Sequence, residues 1–345
     1  MKLLAVLAAV AGALVLAATA AADPAIVGYP SSIASTGDSI TRAYNTCSFP
    51  YMDCPVNSWS TGSSLTGSHY RRILSANSAI SGRNYNVAVT GAEMSDLVAQ
   101  SQNAVARGAA YVTIELGAND VCASSEAGMT PVGTFRAQLE QGMATLSSGL
   151  PNARVFVASV PDVYQLWAIY KDSFSARTVW ALAGICQSML ARPTSTAQAD
   201  LDRRNRVRQR NIDYNTQLAA VCALYVHCRF DGNTVFSTSF ARSDVTTRDY
   251  FHPSVAGQTK LATVTWGATF GFTDVTPPTS DGAFADGAVT LTPTAADVKG
   301  IEYRIGTGAW TRYTSPVPLA SAATITWRAV DVNGNAEATK TLTAP

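Results

Sequence analysis

The sequence predicts an α/β domain built on a parallel sheet, followed by a small all-β sandwich, and three observations carry that reading. Between about residues 30 and 272, short apolar runs alternate with longer helical patterns. Runs such as Val87-Ala88-Val89 and Val155-Phe156-Val157 lack polar alternation, as expected for strands covered on both faces. Past a Pro/Thr-rich stretch the pattern switches to apolar–polar alternation broken by turn signals.

In chain order, strands are predicted at 33–36, 85–89, 111–116, 155–160 and 224–229. Between them, Met94, Leu97, Val98, Ala104 and Val105, then Phe135, Leu139, Met143 and Leu146, recur at helical spacing. Gly149 and Pro151 end the second of these helices. Residues 199–223 read as a long Arg-laden helix, and a last helix opens near Ser254. Strands joined by helices imply right-handed parallel crossovers. The segment 273–279, rich in Pro and Thr, reads as a stiff linker. Beyond it Val289 and Leu291, Ile301, Tyr303 and Ile305, and Ile325, Trp327 and Ala329 alternate with polar residues, with turns at 297–300 and Asn333-Gly334-Asn335. The predicted organisation is a leader at 1–22, the α/β domain at 23–272, the linker at 273–279 and a sandwich at 280–345.

The amino terminus carries Lys2, an apolar stretch over 3–16, then Ala17-Ala18-Thr19-Ala20-Ala21-Ala22 before Asp23-Pro24. Small residues where a membrane span would keep bulky ones favour a cleaved secretory signal over an anchor, with a mature start near Asp23. No Cys follows the cleavage site to take a lipid. A net charge of +1 over 345 residues provides no long-range field for nucleic acid or an anionic membrane. Low charge (14%) with 9% aromatics argues against disorder. Six cysteines agree with export to an oxidising compartment, and none forms a Cys-x-x-Cys metal or redox motif. Of the many possible pairings, Cys47–Cys54 and Cys222–Cys228 with one long bridge, Cys122–Cys186, is the simplest.

Four short blocks carry the chemistry. Gly37-Asp38-Ser39 follows the first strand, Gly91 the second, and Gly117-Ala118-Asn119-Asp120 the third. Asp249-Tyr250-Phe251-His252-Pro253 precedes the last helix. The first three lie at carboxyl ends of predicted parallel strands, where open α/β sheets place their ligand crevice. A serine hydroxyl becomes a useful nucleophile when an imidazole takes its proton and later returns it to the leaving alcohol. The oxyanion that forms needs preorganised donors, which the N–H groups of Ser39 and Gly91 and the amide of Asn119 can supply.

These blocks resemble the SGNH/GDSL hydrolase family over residues 30–270. The resemblance is closest to its secreted actinobacterial esterase/lipase branch, through Pro161-Asp162-Val163-Tyr164, Ile185-Cys186-Gln187 and Asp213-Tyr214-Asn215. It implies a three-layer α/β/α, flavodoxin-like fold, Ser39 as nucleophile, His252 as base, and Ser39, Gly91 and Asn119 as the oxyanion hole. The cysteine placement fits that branch's three bridges. Asp249 would orient His252, although some members of the branch use a backbone carbonyl for this, and Asp244 is a second acid nearby. The tail, with Trp310, Tyr313 and the run from Trp327 to Asn335, resembles Ig-like modules of the chitobiase C-terminal and OmpL47 types.

Blander readings stand beside these. Gly37-Asp38 alone is a simple turn, Asn119-Asp120 can cap a helix, and His69 and His227 lack catalytic context and read as surface or locally bonded. Arg203, Arg204, Arg206, Arg208 and Arg210 read as a solvated helix face rather than a nucleic-acid site. Trp167 and Trp180 suit either an acyl pocket or the core, and Trp310 either a sugar platform or an edge aromatic. There is no Gly-x-Ser-x-Gly elbow, P-loop, dinucleotide fingerprint or His-Glu-x-x-His, so neither cofactor nor metal is expected. Three functions follow for a monomeric, exported chain. The first is an esterase or lipase acting on lipid acyl esters. The second is an acetyl esterase held on polysaccharide by its tail, and the third is a non-catalytic surface binder, which the intact Ser39, Asn119 and His252 oppose. Since His252 acts as a base only when neutral, activity should rise with pH.

Overall fold

A computed structural model describes residues 22–345, so the predicted signal peptide lies, but for Ala22, outside the described residues. Five strands, β1 (Ile33–Gly37), β2 (Asn84–Asn86), β3 (Tyr111–Glu115), β4 (Arg154–Val157) and β5 (Cys228–Phe230), form one parallel sheet in the order β2-β1-β3-β4-β5. This is the flavodoxin-like order. β4, which holds Val155-Phe156-Val157, is buried at every position, as its unalternated sequence predicts, whereas Val87-Ala88-Val89 lies past the end of β2 with Val89 exposed.

Strand order fixes the layers. Right-handed crossovers place the helix between β1 and β2, His69–Ala76, on one face. The helices following β2, β3 and β4 run the opposite way along the sheet, so Leu97–Ala106, Val132–Gly149 and Gln198–Cys222 cover the other face. The last helix, Val255–Ala268, joins the first face, because the His69 ring bonds both Tyr111 Oη of β3 and Thr265 Oγ1, each at 2.9 Å. Burial among these groups drives the His69 pKa down to about 3 and keeps the ring neutral. His69 is therefore a bonded core residue, not a surface one.

Two sequence expectations are corrected. The fifth strand starts at Cys228 rather than 224. Leu224 and Tyr225 turn out of the long helix through backbone bonds to Val221 and Cys222, and Val226 is buried against Val330 and Ala336 of the tail. The arginines of the long helix are not a simple solvated face. Arg204, 1% exposed, donates to Ser195 O (2.7 Å) and lies over the Trp167 ring. Arg203 donates to Gln187 O and Ala191 O, Arg206 pairs with Glu126, Arg208 with Asp162, and Arg210 reaches Thr130 O. The irregular backbone before this helix leaves carbonyls that need donors, and Arg203 and Arg204 provide them, while Arg206 and Arg208 remain exposed. Trp167 and Trp180 are both buried, with indole N–H groups bound to Pro193 O and Tyr250 O, so both belong to the core.

Cys47 is bonded to Cys54, Cys122 to Cys186, and Cys222 to Cys228. The C-terminal residues form two antiparallel sheets. One holds β6 (Ser280–Ala285), β7 (Ala288–Pro293) and β10 (Val317–Pro318). The other holds β8 (Val298–Ile305), β9 (Thr311–Arg312), β11 (Thr324–Asp331) and β12 (Lys340–Thr343). Val289, Leu291, Ile301, Ile325, Trp327 and Ala329 fill the space between them, while Ile305 at a strand end is exposed.

This sandwich seats on the amino ends of the parallel strands. Arg154, which opens β4, donates from Nε to Gly334 O (2.9 Å) and from Nη2 to Asn335 Oδ1 (2.8 Å). Arg328 of β11 reaches Asn152 Oδ1 (2.7 Å) and Pro151 O (2.9 Å), while its Nε pairs with Glu302 (2.6 Å). His227 Nε2 completes that cluster, 3.0 Å from Glu302. Burial raises the Glu302 pKa, but His227 and Arg328 outweigh it and hold the carboxyl below its ordinary value. The connecting segment is tied as well, through Asp274 and Gly271 to the Asn333 side chain.

Candidate active site

The site lies at the opposite end, where β1, β2 and β3 finish. β1 and β3 run side by side until Gly37 faces Glu115, and the chain then turns sharply into Ser39. Gly37 has φ +147°, and a Cβ there would sit 2.5 Å from Glu115 O, so glycine is required. The Gln100 side chain clamps this turn by accepting from Gly37 N (2.7 Å) and donating to Gly37 O (2.9 Å). Asp38 Oδ1 accepts from Ile40 N, and Asp38 O from Arg42 N, winding the chain after Ser39 into a single turn. Burial raises the pKa of Asp38 and that of its neighbour Glu115, and the Asp38 carboxyl raises Glu115 further.

Past β2 the chain keeps following β1, with Val89 N bonded to Gly37 O (3.1 Å), and this delivers Gly91 beside the Ser39 turn. Gly91 has φ +84°, and open space surrounds its Cβ position. After β3, Asn119 sits on the short helix Ala118–Val121, and one of its amide hydrogens goes to Ala92 O (2.9 Å), next to Gly91. That bond leaves the second amide hydrogen free to donate. Among the described residues, the backbone N–H groups of Ser39 and Gly91 also have no internal acceptor. Asp120 faces inward and accepts from Met94 N (2.9 Å), and burial pushes its pKa up to about 6.

His252 arrives from the segment before the last helix, whose Ser254 caps Gly257 N. Its Nε2 is 2.8 Å from Ser39 Oγ, across 213 residues of sequence. Its Nδ1 is 2.8 Å from Asp249 Oδ2. Asp249 Oδ1 accepts from the backbone N–H of Phe251 (2.9 Å) and His252 (3.0 Å). Burial would raise the Asp249 pKa, but His252 and these N–H groups more than offset it and leave the carboxyl below its ordinary value. An ionised Asp249 fixes the hydrogen on Nδ1, so the Nε2 lone pair faces the serine. The Tyr44 ring packs 4.9 Å from the imidazole, centroid to centroid.

Every residue singled out for the site thus lies at this one edge, with Asp249 rather than a carbonyl facing Nδ1. Asp244 does not take part; it pairs with Lys260 and caps Ala241 N. Gln100 and Asn45, whose side chain donates to Asp249 Oδ2, escaped sequence reasoning. Neither carries a motif that points to its partner. A separate group of carboxylates, Asp274, Asp297 and Asp331, brings oxygens within 4.8 Å of one another at the far end of the sheet. Asp331 there already accepts from Asn333 and Asn335.

The described chain can therefore move a proton from a hydroxyl to an imidazole beside free N–H donors, as acyl transfer requires. Solved structures similar to it include an extracellular lipase from Streptomyces rimosus, at 19% identity over 69% of this chain and 99% of that one (TM-score 0.42). Phospholipase A1 from Streptomyces albidoflavus NA297 aligns at 16% identity over 71% and 100% (TM-score 0.38). A family 3 carbohydrate esterase from Clostridium thermocellum aligns at 14% over 69% and 94% (TM-score 0.40). No curated protein sequence matches the chain. The sequence model of GDSL-like Lipase/Acylhydrolase matches residues 33–264, well over half of the 345. The chain belongs to the GDSL-like lipase/acylhydrolase family and is a carboxylic ester hydrolase.

Proposed function

We propose that the chain is an exported, monomeric esterase or lipase that cleaves lipid acyl esters through an acyl-enzyme on Ser39. The observation that carries this reading is the continuous chain from Ser39 Oγ through His252 to Asp249, with 2.8 Å at each link. His252 Nε2 takes the Ser39 proton while Oγ bonds to the ester carbonyl carbon. The carbonyl oxygen becomes an oxyanion held by the N–H groups of Ser39 and Gly91 and by the Asn119 amide. Collapse breaks the bond to the alcohol, which leaves with the proton from His252. Water, deprotonated by His252, then releases the acid and restores Ser39.

An apolar cavity of about 70 Å³, room for the first few acyl carbons, favours an apolar acyl group. Its wall includes Ile40, Ala118 and Phe251, the chain neighbours of Ser39, Asn119 and His252, together with Leu166, Ile169 and Phe240. The alternative, an acetyl esterase tethered to polysaccharide, draws less support. Trp310, which reads as either a sugar platform or an edge aromatic, is stacked by Arg304 (4.8 Å) and Arg328 (4.5 Å), and the C-terminal sandwich lies at the far end of the sheet from Ser39. Export is supported by the leader pattern over 1–22 and by the three bridges. The resemblance to the secreted actinobacterial branch and the boundaries at 272 and 280 belong to the same proposal.

A chain-length series of p-nitrophenyl esters, run beside acetate release from acetylated xylan, tests the reading. Longer acyl chains should outperform acetate, and xylan should release little. Preference for acetate with release from xylan would favour the alternative, and full activity in Ser39→Ala would end both.

A further inference from the structure

We propose that Asn45 is a positioning residue for the Ser39–His252–Asp249 relay, mounted there by Arg248 and the Cys47–Cys54 loop. The proposal rests on the catalytic reading above and adds a fourth side chain to it. Asn45 Nδ2 donates to Asp249 Oδ2, the same oxygen that receives His252 Nδ1. With the two backbone N–H groups on Oδ1, this gives the buried carboxylate two donors on each oxygen. A carboxylate so held cannot rotate away from the imidazole, and its Oδ2 is kept from taking up water or a proton.

Asn45 is itself held on every side. It is 3% exposed, its N–H bonds Met52 O (2.9 Å), and its Oδ1 accepts from Tyr51 N (2.5 Å). Its carbonyl accepts from Arg248 Nη1 (2.9 Å). The same guanidinium donates to Cys47 O (2.6 Å), Ser48 O (2.9 Å) and Phe49 O (3.1 Å), so it binds the disulfide loop as a unit. Arg248 precedes Asp249 directly. The loop is therefore fastened to the acid's segment twice, through the Arg248 backbone clamp and the Asn45 amide. Asn45 has φ +67°, a left-handed conformation that Asn tolerates and that aims its amide back at the relay.

Two substitutions separate this role from general stability. Asn45→Gly keeps the left-handed backbone and removes the amide. Asn45→Asp keeps the shape and the Tyr51 contact but puts an acceptor where the donor was. Enzyme concentration is set by active-site titration with diethyl p-nitrophenyl phosphate, so that unfolded protein does not count. For hydrolysis of a p-nitrophenyl ester, Asn45→Gly should lose about ten- to a hundredfold in kcat, the scale for a misplaced catalytic group, with KM little changed. Asn45→Asp should move the acidic limb of the kcat/KM profile to higher pH, because a second carboxylate favours the imidazolium. The other titratable groups facing His252 are Asp249, Asp38 and Tyr44, and both variants retain them; Arg248 is committed to the loop carbonyls.

Normal kcat per titrated site with an unshifted profile in either variant would overturn the proposal. Failure of both to fold would also overturn it, by making Asn45 a folding determinant. Undiminished activity in Ser39→Ala would instead strike the underlying catalytic reading, whatever Asn45 does.

Discussion

Arg328 Nη1 donates to Asn152 Oδ1 at 2.7 Å, a bond that fastens the C-terminal sandwich to the loop entering β4. The guanidinium is 1% exposed, and it also neutralises Glu302, which faces His227 across the same contact. The tail is thereby the floor of the parallel sheet. Replacing Arg328 by Ala would leave Glu302 buried beside a single imidazole and strip two acceptors of their donor. A loss of about 3–5 kcal/mol is expected, the usual cost of breaking a buried pair. Denaturant unfolding of Arg328→Ala measures it, and a loss below about 1 kcal/mol would mean that the tail does not brace the sheet.

Asn119 offers a sharper test of chemistry. Its amide is aimed by Ala92 O, so truncation should cost turnover without moving the Ser39 turn. Asn119→Ala should lower kcat by about a hundred- to a thousandfold, the range for removing one oxyanion donor, with KM nearly constant. Equal losses in kcat and in the extent of titration by diethyl p-nitrophenyl phosphate would point to misfolding instead.

Buried Asp120 gives a pH signature. Its folded pKa, about 6, lies above the ordinary 3.8 because burial disfavours the charge. Between those values the folded state holds the proton more tightly than the unfolded one, so this group's contribution to stability falls as pH rises. Asn at this position keeps a neutral side chain throughout. The difference in melting temperature between wild type and Asp120→Asn should therefore shift against the wild type from about pH 4 to 6 and level off above. A difference independent of pH would contradict the assignment.

Much of this site was legible because its chemistry sits at strand ends. Ser39, Gly91 and Asn119 each follow an apolar run whose direction the parallel sheet fixes, and Asp249 and His252 are close in sequence. What stayed hidden depends on tertiary neighbours. Asn45 meets Asp249 across 204 residues and Gln100 meets Gly37 across 63, and each is an ordinary amide in its local sequence. β5 starts later than its sequence pattern predicts because Leu224, Tyr225 and Val226 are apolar for another reason. They close the Cys222–Cys228 turn, and Val226 packs under the tail. The arginine-rich helix misled in the same way, since the loop carbonyls that it satisfies have no signature in sequence.

The central claim is that Ser39 is the residue activated by His252. The most direct measurement is mass spectrometry of peptides after reaction with diethyl p-nitrophenyl phosphate. A single phosphoryl adduct on the Ser39 peptide, released with one equivalent of p-nitrophenol and absent from His252→Ala, is the predicted result. An adduct on another residue, or labelling of Ser39 undiminished in His252→Ala, would contradict it.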